Sequence, residues 1–193
     1  MRKYALIAAF AAMFVSPAAL AAADAAAPKE IDWQHDGVFG TFDRASIQRG
    51  LQVYREVCSG CHGLKYIAFR NLLEIGLTED QAKAIAADYT MMDGPNADGE
   101  MYERAGKLSD YMPAPFDNEN AARASNNGAL PPDLSLIVKA RAGAEDYIYS
   151  LLVGYADAPS GISVPDGMSY NPYFSGHLIA MAPPIDDEAV DYI

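Results

Sequence analysis

The segment Cys-Ser-Gly-Cys-His at residues 58–62 restricts the possible folds of this chain more than any other feature. It contains both cysteines of the 193 residues, placed three positions apart, and one of the three histidines follows directly. Two thiols at this spacing occur in thioredoxin-like redox pairs, in zinc sites and in sites that attach haem covalently. These three kinds of site make different demands on the rest of the sequence.

The sequence does not meet two of these demands. A thioredoxin-like pair lies where a strand meets a helix, whereas here the cysteines come at the end of a helical pattern. A structural zinc site needs a second pair of ligands. The chain has no further cysteine, and its other histidines, His35 and His177, stand far apart. The sequence therefore favours the third kind of site.

Covalent haem attachment uses every functional group of the motif. Each thiol adds to one vinyl group of the haem, and the adjacent histidine lies beneath the iron as a ligand. The motif therefore predicts one c-type haem, linked through Cys58 and Cys61, with His62 as the proximal ligand of the iron.

A haem iron that carries electrons generally has a second axial ligand, either methionine or histidine. Met181 stands out because Pro183 and Pro184 follow it and keep the segment extended and stiff, so the thioether can be presented at little entropic cost. Met168, on another turn-rich loop, is the alternative. The two remaining histidines are interpreted as surface loop residues. Four other methionines are interpreted as core residues: Met91, Met92, Met101 and Met112.

The N-terminus and the charge indicate the compartment and the type of partner. A short basic start, an apolar run and an alanine-rich end predict a signal peptide over residues 1–23, with a domain over residues 24–193. Its brevity points to export to the periplasmic side of a bacterial inner membrane, and an uncleaved anchor is the alternative. The net charge of −12 disfavours nucleic acid and anionic lipid as partners; it suits a basic protein partner, although solubility alone is the simpler explanation.

Hydrophobic periodicity and capping residues predict mainly helices. A helix beginning near Asp43 or Ser46 leads to the cysteine motif, and Thr78 with Gln81 forms a capping box for a helix to about residue 89. Residues 91–120 have no period and predict a long irregular excursion. Two more helices are expected, from about residue 131 to 143 and from 144 to 154, followed by a loop to the methionine.

Four longer motifs resemble the cytochrome c1 family, the haem subunits of ubiquinol–cytochrome c oxidoreductase, also called the cytochrome bc1 complex or complex III. The resemblance extends from about residue 33 to 185. It rests on RGLQVYREVCSGCH, DGPNADGEMYERAGKLSDYMPAPF, NNGALPPDLSLIVKARAGAEDYIYSLLVGY and YNPYFSGHLIAMAPPI. The second and third of these motifs are far more specific than the haem motif alone.

The resemblance implies a mainly α, class I cytochrome c-like haem domain with long loop insertions. It implies His62 and Met181 as the two axial ligands and Arg141 as the partner of a haem propionate. Five further residues match family residues that line the haem: Asn126, Pro131, Pro132, Tyr147 and Ile185.

The resemblance also implies a function in the respiratory chain. The domain would carry electrons from the Rieske iron–sulfur protein to a soluble, basic cytochrome c, beside a cytochrome b subunit, and would not be an enzyme on its own. The alternative is a free periplasmic c-type cytochrome in another redox system. One acidic patch is a candidate docking surface, although a solvated loop explains it better: Asp93, Asp98, Glu100 and Glu103.

The family normally continues beyond this point with a helix that packs on the first helix and then a membrane-spanning anchor. The sequence given ends at Ile193, and no run of about twenty apolar residues follows the signal segment. We expect that it is a fragment whose membrane attachment lies elsewhere, rather than a soluble derivative.

Overall fold

A computed structural model describes residues 25–192, so the predicted signal peptide lies outside the described residues. Helices and short strands alternate with long loops along this part of the chain. The α-helices are α1 (Arg44–Val53), α2 (Glu79–Ala87), α3 (Glu119–Ser125) and α4 (Ala144–Val153). The strands are β1 (Thr90–Asp93), β2 (Tyr102–Ala105), β3 (Ser169–Tyr170) and β4 (Leu178–Ile179).

Helix α1 begins where the sequence predicted. The Asp43 side chain caps it by accepting a hydrogen bond of 3.0 Å from the backbone N–H of Ala45. The helix continues without a break into a π-helical segment, Tyr54–Cys58, which delivers the first cysteine. Tyr54 is buried, whereas Leu51 and Cys58 on the same face are half-buried, so this face packs inward as the pattern indicated.

Helix α2 also forms as predicted, with the capping box that Thr78 and Gln81 were expected to make. The Gln81 N–H donates to the threonine hydroxyl at 3.2 Å, and the Thr78 N–H donates to the glutamine side chain at 2.8 Å. The helix packs its small residues on a 3₁₀ helix, Phe69–Leu73. Six side chains form the apolar core here: Tyr54, Phe69, Leu72, Ala82, Ala86 and Met112.

Residues 91–120 are more regular than the sequence predicted. Strands β1 and β2 pair antiparallel, with Met91 opposite Arg104. The Arg104 guanidinium binds the carboxylates of both Asp93 and Asp110, and its nitrogen–oxygen distance to Asp110 is 2.6 Å. This three-membered ion cluster connects the hairpin to the chain that follows it, which local periodicity could not indicate.

The helix predicted from about residue 131 to 143 is wrong: this segment is a series of turns. Its first residues bond to the cysteine motif instead of to the next helical turn. The Leu134 N–H donates to the Gly63 carbonyl at 2.9 Å, and the Asp133 carboxylate accepts from the Lys65 N–H at 2.9 Å. Gly143, with a φ of 83°, then takes a left-handed conformation that suits glycine and starts α4 in a new direction.

Helix α4 is as predicted and is held by the N-terminal arm, which we define as residues 25–36. The Lys29 N–H donates to the buried Ser150 hydroxyl at 2.8 Å, and the Trp33 indole N–H donates to the Asp146 carboxylate at 2.7 Å. The Ala26 N–H extends the contact to the Pro172 carbonyl. The arm therefore joins the beginning of the described chain to its last third.

The architecture agrees with a mainly α fold only in a coarse sense. Helices predominate over strands within residues 25–192, but turns and loops occupy much of the chain. None of the helices in this part of the chain has the length and hydropathy needed to span a membrane.

Candidate functional site

The cysteine motif forms a tight turn at the end of the π-helical segment. The backbone N–H groups of Cys61 and His62 both donate to the Cys58 carbonyl, at 3.1 and 2.9 Å. Both thiols are free, with Cys58 half-buried and Cys61 exposed. The turn therefore presents two thiols and an imidazole from five consecutive residues.

The environment of Cys58 differs from that of a redox-active thiol. Burial, and then the nearby Cys61 thiol, raise the pKa of Cys58. A catalytic thiol needs a lowered pKa, which helix N-termini and nearby cations provide, whereas this cysteine ends a helical segment. A grouping of side chains at metal-ligand distances within residues 25–192 contains neither cysteine. These observations weigh against the redox and zinc alternatives.

Two hydrogen bonds fix the orientation of His62. Its Nδ1 lies 2.7 Å from the Pro132 carbonyl, which can only accept, so Nδ1 carries the proton and Nε2 keeps a free lone pair. The Tyr54 hydroxyl donates to the His62 carbonyl at 3.0 Å, which connects the motif to the core. Burial raises the pKa of Tyr54 to about 12, so this donor keeps its proton.

The chain that presents Pro132 is held firmly against the motif. Two hydrogen bonds reach the Asp133 carboxylate, from the backbone N–H groups of Lys65 and Ser135. Burial opposes ionisation, but the hydrogen bonds, chiefly those from Ser135, lower the pKa of Asp133 overall. A Cβ at Gly63 would lie 3.1 Å from this carboxylate, so a larger residue would push the two segments apart.

Arg141 lies close to this assembly. With Pro132, Leu136 and Tyr66 it lines a cavity of about 230 Å³. Its side chain is exposed, and its guanidinium bonds the neighbouring Ala140 carbonyl at 3.3 Å, which leaves most of its donors facing the solvent. A guanidinium in this position can bind a carboxylate through two hydrogen bonds.

Met181 belongs to a second group of residues. It is half-buried, and its carbonyl accepts a 3.0 Å hydrogen bond from the Tyr155 hydroxyl, whose pKa burial raises to about 12. Tyr155 and Ile185 also line a cleft of about 680 Å³. The other apolar or aromatic side chains of this cleft include Leu152, Val153, Val164, Tyr170 and Pro183.

The loop that leads to Met181 is tied to α4 by a buried amide. The Asn171 side chain donates to the Leu151 carbonyl at 2.7 Å, and its backbone N–H donates to the His177 carbonyl at 2.8 Å. The interpretation of His177 as a surface residue is wrong, because it is half-buried and its Nδ1 is buried without a hydrogen-bond partner among the described residues. A bound polar group would relieve the cost of that burial.

The remaining predicted residues belong neither to the group around the cysteine motif nor to the group around Met181. Asn126 ends α3, and its amide bonds back to the Ala122 carbonyl at 2.7 Å. Tyr147 lies half-buried on α4, and Pro131 is half-buried just before Pro132. Met168, the alternative ligand, is half-buried after a turn closed by the Pro165 carbonyl.

Sequence reasoning missed two tyrosines of these groups. Tyr54 occupies the predicted inner face of α1, which gave a signal for burial but none for its bond to His62. Tyr155 gave no usable signal, because its partner Met181 lies 26 residues further along the chain.

The donor set meets the requirements of a c-type haem. It provides two free thiols, an imidazole with an open Nε2, a half-buried thioether and an exposed guanidinium that shares a cavity with Pro132, the partner of the imidazole. The larger cleft has a mixed lining, with apolar side chains that suit the edge of a flat aromatic macrocycle and polar ones such as Asp157 and Asp186.

Comparison with known proteins identifies relatives over most of the chain. The sequence model of the Cytochrome C1 family matches residues 33–193. A mitochondrial cytochrome c1 heme protein of Schizosaccharomyces pombe is 55% identical over 161 residues, which cover 83% of this chain and 52% of the relative. A mitochondrial cytochrome b-c1 complex catalytic subunit of Candida albicans is 54% identical, over 86% of this chain and 58% of the relative.

A bacterial protein matches as well. The cytochrome b/c1 protein of Bradyrhizobium diazoefficiens is 48% identical over 182 residues, covering 83% of this chain and 26% of the relative. The chain spans about half the length of the fungal relatives. The match of the family model across the motif, both cavities and α4 shows that this chain belongs to the cytochrome c1 family.

Proposed function

We propose that the chain is the haem-bearing, electron-carrying domain of a ubiquinol–cytochrome c oxidoreductase complex. The observation that carries this proposal is the 2.7 Å contact between His62 Nδ1 and the Pro132 carbonyl, directly beside two free thiols. It assigns the proton of the neutral ring to Nδ1, so that the Nε2 lone pair is the one available to iron. Relatives named as cytochrome c1 heme proteins and as a b-c1 complex subunit support the same proposal.

The two cysteines attach the cofactor. Each thiol would add across a vinyl group, forming one carbon–sulfur bond while the thiol hydrogen goes to the other vinyl carbon. Cys58 is half-buried at the end of the helical segment, and Cys61 is exposed on the turn. When bound, the haem supplies one-electron chemistry at its iron.

The other proposed site residues would hold the bound group. His62 Nε2 and the Met181 sulfur would hold the iron, and the Tyr155 hydrogen bond restrains the Met181 backbone. Arg141 pairs with a propionate. The residues proposed to line the haem are Asn126, Pro131, Pro132, Tyr147 and Ile185.

The charge of the chain suits its proposed partners. The domain accepts electrons from a Rieske iron–sulfur protein beside a cytochrome b and donates them to a soluble basic cytochrome c, and it does no chemistry on a substrate by itself. The excess of 26 acidic over 14 basic residues steers a basic acceptor. We further propose export by residues 1–23, which would place the domain on the periplasmic side of a bacterial inner membrane.

Replacing the proposed iron ligand tests the site. Met181→Leu in the holoprotein should open the iron to carbon monoxide and lower its reduction potential, because the thioether is lost. Met168→Leu is the matched control and should leave both unchanged. If Met168→Leu produces these changes and Met181→Leu does not, the ligand is Met168.

Salt dependence of electron transfer tests the function. The rate with a basic cytochrome c, followed by stopped flow, should fall steeply as salt rises, since the Debye length falls from about 10 Å at 0.1 M to about 3 Å at 1 M. A rate insensitive to salt would contradict steering by charge. Co-purification with a cytochrome b and a Rieske protein would separate this function from that of a free periplasmic cytochrome.

A further inference from the structure

We propose that His35, Asp36 and Glu145 form a binding site for a divalent cation of the zinc class, separate from the cysteine motif. One ligand atom from each of the three side chains lies within 4.8 Å of the other two. The interpretation of His35 as a simple surface loop residue is wrong, because its ring is packed between aromatic neighbours and bonded to α4.

The distances suit tetrahedral coordination. The His35 Nε2 and Glu145 Oε1 atoms are 3.3 Å apart. In a tetrahedral zinc site with bonds of about 2.0 Å, neighbouring ligand atoms are separated by about 3.3 Å. Asp36 supplies the third ligand, and water would complete the shell.

The ligands are held in place by packing and by hydrogen bonds. The His35 ring stacks on Phe42 with a centroid distance of 4.5 Å and an interplanar angle of 19°. Trp33, whose indole N–H donates to Asp146 at 2.7 Å, anchors the arm beside the site. Glu145 belongs to the first turn of α4, so its backbone is fixed. A cation would therefore bind to ligands that are already close together.

The charges at the site favour a cation over a simple ion pair. Two carboxylates face one imidazole, and within residues 25–192 the ion pair that Glu145 makes is with His35 rather than with a lysine or arginine. The histidine and glutamate side chains are 25% and 33% exposed, so an ion can enter from solvent. Imidazole nitrogen with carboxylate oxygen selects zinc and similar metals over magnesium and calcium.

Bound metal would crosslink the N-terminal arm to α4. His35 and Glu145 are 110 residues apart in sequence, and the arm is otherwise held there by a few hydrogen bonds. A ligand that binds only the folded state stabilises it by a free energy that rises with the logarithm of ligand concentration once that concentration exceeds Kd. The site would therefore raise the melting temperature of the holoprotein when zinc is present.

Titration calorimetry tests the site, with holoprotein that keeps its haem but from which other metal ions have been removed. With zinc chloride we expect one ion per chain, and at least about tenfold weaker binding in both His35→Gln and Glu145→Gln. Glu119→Gln is the matched control, because Glu119 is likewise in the first turn of a helix, α3. Magnesium in large excess should not displace the zinc, and zinc should raise the melting temperature of the wild type more than that of either variant.

X-ray absorption at the zinc edge identifies the ligands directly. We expect nitrogen and oxygen scatterers with the outer-shell signal of one imidazole, which disappears in His35→Gln. Sulfur scattering, no binding by the wild type, or equal affinity in the wild type and both variants would each overturn the proposal. If His35→Gln releases the arm and lowers stability in the absence of metal, its weaker zinc binding has a structural cause. The zinc affinity of Glu145→Gln, compared with that of the wild type, then tests the site.

Discussion

Two regions of the molecule bury different kinds of side chain. In residues 54–112, the packed region, Phe69, Leu72 and Met112 are 0%, 3% and 2% exposed and contact each other directly. In residues 130–185, the cleft region, two of the three buried residues are polar, Ser150 and Asn171. The first region is stabilised by its own apolar packing, the second largely by hydrogen bonds between loops, the arm and α4.

Three apolar side chains of the cleft region line the cleft rather than a packed core. Val153, Val164 and Ile185 are each more than a third exposed and line the cleft of about 680 Å³. Under the proposed function this cleft accommodates part of the haem, so the cofactor supplies packing that the chain itself does not. The packed region therefore supports the cysteine motif. Under the proposed function, the cleft region is arranged around the haem that the motif binds.

The largest effect should come from the centre of the packed region. Phe69→Ala removes a fully buried aromatic side chain and should lower the free energy of unfolding by about 3–5 kcal/mol. Denaturant unfolding of the holoprotein measures this loss. Because the proposed iron ligands, His62 and Met181, are not members of this core, the haem spectrum of the folded variant should not change.

Phe39→Ala is the matched control for that experiment. Phe39 is 94% exposed, so its removal should change stability by less than about 0.5 kcal/mol. Equal losses in the two variants would contradict the view that residues 54–112 form the apolar core.

A smaller effect is expected in the cleft region. Asn171→Ala removes the hydrogen bond to the Leu151 carbonyl and leaves that acceptor unpaired, which should cost about 1–3 kcal/mol. The same loop leads to Met181, so carbon monoxide binding to the iron should also become easier. Asn120→Ala, at an exposed position of α3, is the control and should alter neither property.

The smallest effect is expected on the stability at acid pH that the ion cluster of the β1–β2 hairpin provides. The Arg104 guanidinium lowers the pKa of Asp110 from 3.8 to about 2. The folded state therefore holds this proton more weakly than the unfolded state, and the stabilisation present above about pH 4 is lost as the pH falls through about 2. Unfolding curves between these pH values should be less pH-dependent in Asp110→Asn than in the wild type.

Asp117→Asn, at an exposed position nearby in sequence, controls for the loss of a negative charge and should keep the wild-type pH dependence. An unchanged pH dependence in Asp110→Asn would show that the ion cluster adds nothing to the stability of the packed region.

Local signals in the sequence predicted the parts of the fold whose causes are local. Asp43 caps α1 and Thr78 caps α2 through neighbours two or three residues away, and both helices begin as expected. The β1–β2 hairpin was missed because it depends on pairing between residues that are about ten positions apart, such as Arg104 with Asp93, which local periodicity does not indicate. The helix predicted after Pro131 is wrong because Leu134 bonds to the distant Gly63 carbonyl.

The residues of the candidate site also divide into those with a local signal in the sequence and those that depend on distant contacts. The five-residue motif identified Cys58, Cys61 and His62 because their spacing is itself the chemical requirement. Resemblance to the family selected Arg141, whose position beside Pro132 periodicity alone could not indicate. Tyr155 and the surroundings of His35 depend on contacts between segments far apart in sequence, which no local pattern records.

The N-terminal arm has a consequence for the order of folding. The arm is the earliest part of the described chain to be synthesised, yet its hydrogen-bond partners Asp146 and Ser150 follow 113 and 121 residues after Trp33 and Lys29. Closing a loop of that length comes late, because contacts distant in sequence form more slowly than local ones. The cysteine turn, built from neighbours, can form long before the arm closes over α4. We therefore expect a period during folding in which the thiols are already presented while the chain around them is still open.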